Sequence, residues 1–338
     1  MSIPSTIHGS KSLLSSVMRS MKSLYPLELA DKSWDNTGLL LESPFVDPGK
    51  RNVLLTIDLT RSVAQEAIQK GAGVIVAYHP IIFRGLKSLT MGDSQQSSLL
   101  QLAAAGISVY CPHTSVDAAI GGINDWLANG VSGGGENERS REAIEESQVT
   151  IEGHEGSGMG RLVTLREGIS FLTLVTRIKL HLGLHNGHEG SGMGRLVTLR
   201  EGISFLTLVT RIKLHLGLHN GGLNVDLIDG SVQASIAEHH SGDNPSEVIK
   251  TIGICAGSGG SVFRRVKADV FFTGELGHHE LLANLASGTS TVICGHSNTE
   301  RGFLSAVMQH KLATLLSQDS LGAKVLCSEE DRDPLVII

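Results

Sequence analysis

The chain predicts an α/β protein made of two related α/β halves, with mixed sheets flanked by helices. Three observations carry that expectation. Short apolar runs of strand type alternate with segments of helical periodicity along most of the 338 residues, a pattern that lays helices on the faces of a parallel or mixed sheet. The order of elements found before residue 132 recurs after residue 222. Two distant segments also follow one plan: Val109-Tyr110-Cys111-Pro112-His113-Thr114-Ser115-Val116-Asp117 and Val292-Ile293-Cys294-Gly295-His296-Ser297-Asn298-Thr299-Glu300. Each is an apolar run, then a His, a Ser or Thr, and an acid four residues after the His. One such half-site per half suits a metal centre at an internal pseudo-twofold interface.

The elements follow in order. Residues 1–27 contain no Asp or Glu, are rich in Ser, and carry Lys11, Arg19 and Lys22, the composition of a mitochondrial transit peptide. Leu13, Leu14, Val17, Met18, Met21 and Leu24 nevertheless recur at helical spacing and run straight into Tyr25-Pro26-Leu27, which favours an ordinary first helix. Residues 53–59 read as a buried strand, 61–70 as a helix, 73–77 as a strand, 97–105 as a helix, 106–111 as a strand and 118–128 as a helix. After the middle of the chain, 248–255 reads as a strand, 257–260 as a Gly-rich turn and 261–267 as a helix. Then come a strand at 269–273, a helix at 278–285, a strand at 290–294 and a long helix at 299–316.

Four regions result. Residues 1–131 form an N-terminal α/β half holding His79, His113 and Asp117. Residues 132–153, rich in Gly, Glu, Asn and Ser at their start, read as an exposed linker. Residues 154–221 are a tandem repeat, and 222–338 a C-terminal α/β half holding Glu275, His296 and Glu300. The repeat is of an unusual kind: 154–187 and 188–221 are identical letter for letter. Old structural repeats drift at every position outside the core. Complete identity therefore argues for a very recent duplication or a misassembled gene. Each copy predicts a strand at its Arg-Leu-Val-Thr-Leu and a helix with Phe171, Val175 and Ile178 on one face. One copy is superfluous, and the sequence leaves open which one packs.

Composition excludes several classes. The net charge is −6 and no basic stripe stands out, which argues against nucleic acid as a partner. There is no apolar run of about 18 residues and hence no predicted membrane helix. Cys111, Cys255, Cys294 and Cys327 are scattered without a C-x-x-C pair, pointing to a reducing compartment without disulfides. The cytoplasm is the expected location, with the mitochondrion as alternative.

The candidate ligands are His79, His113, Asp117, His296 and Glu300, each just after a predicted strand, where ligands gather in open α/β sheets. Mixed imidazole and carboxylate donors suit Zn, Mn, Fe or Co, one or two ions per chain, and a shared carboxylate bridges two ions about 3.5–4 Å apart. The competing reading is local. Thr114-x-x-Asp117 and Ser297-x-x-Glu300 both have capping-box spacing, in which the acid only starts a helix. Capping does not account for the histidines.

At this point the chain resembles the Nif-three-like family, also called GTP cyclohydrolase I type 2 homologues. The matching motifs are Ser33-Trp34-Asp35-Asn36-Thr37-Gly38-Leu39, Tyr78-His79-Pro80-Ile81-Ile82-Phe83, His113-Thr114-Ser115-Val116-Asp117, Thr273-Gly274-Glu275-Leu276-Gly277-His278-His279 and His296-Ser297-Asn298-Thr299-Glu300. The resemblance implies two halves packed around a central groove, a dinuclear metal centre in that groove and a homo-oligomer, commonly a ring. It makes His79 and Asp117 ligands of one ion, His296 a ligand of the other and Glu300 the bridging carboxylate. His113 stands close by as ligand or support. Many members carry a second His where this chain has Tyr78, and a protonated phenol is a poor ligand, so the number of ions stays open. Glu275, His278 and His279 are placed near the groove as candidates for acid–base chemistry or substrate contact, or as an ordinary helix start. The Gly-rich turn 256–261 suits an anion or simply a tight turn, and Asp35-Asn36-Thr37-Gly38 is a turn signal bordering the groove.

The expected function is that of a metal-dependent hydrolase acting on a nucleotide or another small anionic substrate. The alternative is a non-catalytic metal-binding module, regulatory or for protein interaction.

Overall fold

A computed structural model describes residues 12–182, 235–237, 248–319 and 321–333. The second copy of the repeat, 188–221, lies outside the described residues. The first copy supplies structure.

Helix α1 (Leu13–Leu24) opens the described chain. Ser12 caps it by accepting the Ser15 N–H at 3.1 Å, and Val17 and Met21 are buried along its apolar stripe. Strand β1 (Gly38–Leu41) follows. Then β2 (Asn52–Thr56), α2 (Arg61–Gln69), β3 (Ala72–Ala77), α3 (Ser94–Ala104) and β4 (Ser108–Cys111) appear in the predicted alternation. The helix expected over 118–128 is instead two helices, α4 (Thr114–Ala118) and α5 (Ile123–Ser132). The break sits at Gly122, where an added Cβ would lie 2.0 Å from the Val116 carbonyl oxygen. The chain can turn that sharply only where no side chain exists. Apolar periodicity continues through the break and hides it.

The remaining elements are β5 (Glu138–Glu142), β6 (Glu145–Glu146), β7 (Gly158–Met159), β8 (Arg161–Ser170), α6 (Phe171–His181), β9 (Ser235–Ala237), β10 (Val248–Ser258), β11 (Val270–Glu275), α7 (His278–Ala286) and β12 (Ser290–Ile293). The long C-terminal helix is α8 (Asn298–Phe303), a π-helical turn (Leu304–Met308) and α9 (Gln309–Ser317), followed by β13 (Lys324–Cys327). The segment expected at 261–267 as a helix is only a 3-10 turn, Val262–Arg265.

Among the described residues the strands form two mixed sheets and one small two-stranded ribbon, β6–β7. The first sheet runs β1-β4-β3-β2-β13. Only β1 is antiparallel to its neighbour, and β13 comes from the far end of the chain to close the other edge. The second runs β5-β8-β10-β11-β12-β9, with β10, β11 and β12 parallel and the outer strands antiparallel. The stretch read as an exposed linker is therefore partly a strand. β5 covers the free edge of β8, pairing Arg141 with Val163 and Glu142 with Leu162. An open edge row of N–H and C=O groups favours such a partner even when the covering side chains are polar.

One apolar cluster runs through both sheets. It joins Val17 and Met21 of α1, Leu127 of α5, Val163 of β8, Phe272 of β11 and Phe303 of α8. Two side chains also stitch the halves together by hydrogen bonds. Asn124 accepts the Ala256 N–H at 2.8 Å and donates to the Asp117 carbonyl at 3.0 Å. Arg161, wholly buried at the start of β8, reaches Asp125 of α5 through two nitrogens, at 2.8 and 3.0 Å. The strand ends of the two sheets are thereby held facing one another. No helix among the described residues is long and apolar enough to cross a membrane.

Candidate metal centre

The site is built at strand ends. Asp58 and His79 follow β2 and β3, and His113 follows β4. Glu275 closes β11, while His296 and Glu300 lie at the start of α8, just after β12. Apolar strands deliver these polar groups to one edge, where the interior stops and the chain must turn.

Three histidines are each held by a carboxylate through the same ring nitrogen. His79 Nδ1 lies 2.9 Å from Asp58 Oδ1, His113 Nδ1 2.7 Å from Asp35 Oδ1, and His296 Nδ1 2.9 Å from Glu275 Oε1. A carboxylate on Nδ1 fixes the ring and the tautomer, and leaves Nε2 as the free donor atom. In two of the three, Nε2 points at the same partner. His79 Nε2 stands 3.3 Å from Glu300 Oε2 and His296 Nε2 3.4 Å from Glu300 Oε1. The donor atoms of His79, His296 and Glu300 all fall within 4.8 Å of one another.

Glu300 is only 3% exposed, and its Oε2 is buried without a hydrogen bond. An unsatisfied buried carboxylate oxygen is costly. Here it faces two imidazoles whose outer nitrogens are already anchored. Gly257 leaves the space: a Cβ there would sit 2.7 Å from Glu300 Oε1 and 3.0 Å from His296 Nε2, and its φ is +61°. The Gly-rich turn thus lets backbone approach the acid closely, and its Gly257 N–H is given to Thr299 Oγ1 at 2.9 Å. Two imidazoles, a carboxylate and a side-chain-free space beside them fit a divalent ion of the Zn, Mn, Fe or Co kind.

Burial alone would lower the pKa of His79. The Asp58 hydrogen bond on Nδ1 and the charges of Asp58 and Glu300 overturn that and raise it to about 10. A cation binding at Nε2 therefore competes with a proton for that nitrogen. Burial would raise Asp58 and Asp35, but their histidine partners hold both below the ordinary carboxylate value.

Asp117 is placed differently. It accepts a hydrogen bond from the Tyr78 hydroxyl and lies outside the His79–His296–Glu300 group. Burial raises Asp117 to about 6, and the Glu300 charge adds to this against the lowering by His113, Tyr78 and His79. The Tyr78 phenol is pushed well above its ordinary value by burial and by those same acids, so it is a donor and not a ligand. His113 remains adjacent, its ring centroid 5.4 Å from that of His79. Its φ of +34° is the one positive value at a non-glycine among the described residues, a strained conformation of the kind that collects at functional sites.

The capping reading fails in both segments. The Thr114 hydroxyl donates to Asp35 and caps no helix N–H, and Ser297 at the start of α8 makes no side-chain cap. Of the second cluster, Glu275 joins the centre through His296. His278 and His279 are exposed on α7, ring centroids 5.6 Å apart, and the described contacts do not bring them to the centre. Asp58 is the residue that sequence reasoning missed. Its signal was slight: an acid closing an otherwise apolar strand. Replacing Asp58 by Asn is expected to weaken metal affinity roughly 10–100-fold, the usual effect of losing such a support. Competition with a chelator measures it, and an unchanged affinity would show that Asp58 does not orient His79.

A sequence model of the family described as Duf34/NIF3 (NGG1p interacting factor 3) matches residues 12–334. The chain belongs to the Duf34/NIF3 family. It is 43% identical over 328 residues to "Protein NIF3 homolog" of Schizosaccharomyces pombe, covering 96% of this chain and 99% of that one. It is 37% identical over 333 residues to "NGG1-interacting factor 3" of Saccharomyces cerevisiae, with 96% of each covered. Human "NIF3-like protein 1" is 30% identical, with 99% and 98% covered. Among solved structures, Staphylococcus aureus protein SA1388 superposes with a TM-score of 0.68 at 19% identity, covering 98% of this chain and all of that one. HcgD from Methanocaldococcus jannaschii gives 0.62 at 18%, covering 93% and 96%. The NIF3 fold is therefore shared across very distant sequences.

Proposed function

We propose that this NIF3 protein is a divalent-metal-dependent hydrolase acting on a nucleotide or another small anionic substrate. His79, His296 and Glu300 are the primary ligands, and Asp117 is the donor a second ion would use. The observation that carries this reading is the convergence of two carboxylate-anchored imidazoles on an unsatisfied buried glutamate. A divalent cation supplies Lewis-acid polarisation and a nucleophile at neutral pH. The chain supplies the rest. Asp58 and Glu275 hold the two ligand rings, Gly257 leaves room beside Glu300, and Tyr78 keeps the Asp117 carboxylate oriented. His113, anchored by Asp35, is the group placed to accept or return a proton.

The name of the Saccharomyces cerevisiae relative, "NGG1-interacting factor 3", favours a second reading, a metal-binding protein-interaction module. One experiment separates the two. Natively purified protein is analysed for metal, then assayed for hydrolysis of a nucleotide panel before and after chelation. Turnover that disappears with the ion and returns on its restoration is the expected result. Metal-loaded protein that turns over nothing in the panel would favour the interaction module.

A further inference from the structure

We propose that Trp34 and Phe83 form a stacking wall for a planar heteroaromatic ring, the recognition element of the small molecule that the centre acts on. The proposal rests on the metal-dependent reading above and adds the class of group that the site recognises. Large aromatic side chains gain by burial, yet Trp34 is 51% and Phe83 46% exposed. Their ring centroids lie 5.9 Å apart at 49°.

The pair is fixed in place although it is exposed. Trp34 Nε1–H donates to Asp31 Oδ2 at 2.8 Å, and Asp31 is itself held by the Ser33 N–H at 2.9 Å and the Ser33 hydroxyl at 2.6 Å. The Asn36 side chain donates to the Ile82 carbonyl and so locks the Trp34 turn to the Phe83 segment. An exposed ring held rigid in this way loses little entropy when a ligand stacks on it. The wall also leads inward. Trp34 meets His113 edge to face at 5.8 Å and 85°, and His113 meets His79 at 5.4 Å and 78°. A ring lying on the wall is two aromatic contacts from a primary ligand. That continuity with the centre points to a small molecule and not to a protein surface. Stacking is indifferent to which base is offered, because every heteroaromatic ring has a π-face.

The probes are guanosine 5′-monophosphate and ribose 5-phosphate, which shares the anion and lacks the ring. The chain has two tryptophans, Trp34 and Trp126, and Trp126 packs against His181 and Phe303. Trp34 is therefore the fluorescent reporter for the wall. The expected result is saturable quenching by guanosine 5′-monophosphate that Trp34→Phe removes, while calorimetry shows that this variant still binds. Trp34→Ala and Phe83→Ala should each bind roughly tenfold or more weakly, with bound metal unchanged by elemental analysis. Equal affinity in Trp34→Ala, or equal quenching by ribose 5-phosphate, overturns the proposal. A protein that holds no ion yet binds the nucleotide through Trp34 supports the wall and sinks the hydrolase reading.

Discussion

Arg161→Met is expected to cost the protein about 3 kcal/mol, the low end of the penalty for stripping a buried charge of its partner, because Arg141 still faces Asp125 at 3.3 Å. The guanidinium is fully enclosed and all of its visible partners belong to one seat. It holds both oxygens of Asp125, and it donates to the carbonyls of Gly158 and Gly160 at 2.7 Å and of Ala119 at 3.1 Å. Methionine fills some of the volume and satisfies none of these groups. A chemical denaturation midpoint measures the loss. Replacing both partners by apolar residues, Arg161→Met with Asp125→Leu, should restore part of it, since no lone charge remains. A single variant as stable as the parent would refute the latch.

The pH dependence follows from the same pair. Burial would raise Asp125, but the Arg161 hydrogen bonds and charge, the Gly121 N–H and the Arg141 charge hold it below its ordinary value of 3.8. A depressed carboxylate contributes stability that is present above its unfolded value and lost as pH falls through the folded one. The gap between parent and Arg161→Met should therefore be widest at neutral pH and narrow below about pH 4.

These residues also show what a sequence can and cannot disclose about a site. His79, His113 and His296 were legible because each follows an apolar run and helix capping does not account for a histidine there, and Asp117 and Glu300 because each stands four residues after one of them. Asp58 was not, and Asp35 only as part of a turn, since an acid at a strand end or in an Asp-Asn-Thr-Gly turn is what solvation alone would place there. Their role exists only once β2 and β3 lie side by side and β1 pairs with β4. The distinction between Asp117 and Glu300 was hidden for a related reason. Both stand four residues after a histidine, and only the fold gives one of them to the Tyr78 hydroxyl and leaves the other unsatisfied. The break at Gly122 and the edge strands β5 and β13 depend on close backbone approach and edge pairing. Neither leaves a hydrophobic period to read.

Glu300→Gln should abolish tight metal binding while the metal-free protein stays folded. Glutamine keeps the size of the side chain in the space beside Gly257 and removes the charge that both imidazoles face. In the parent, added Zn should raise Tm with concentration, because an ion that binds only the native state stabilises it by mass action, by about 2.7 kcal/mol at a hundred times Kd. In Glu300→Gln that dependence should vanish, and elemental analysis should find the ion lost. Asp117→Asn offers the contrast. Its carboxylate is engaged by Tyr78 and lies outside the central trio, so the variant should keep an ion at His79, His296 and Glu300 and keep the Zn-dependent rise in Tm. Retention of metal by Glu300→Gln together with loss in Asp117→Asn would reverse the assignment and move the primary site to the Asp117 side of the groove. Loss in both would mean that the two acids serve one inseparable cluster, with Tyr78 yielding Asp117 when the ions arrive.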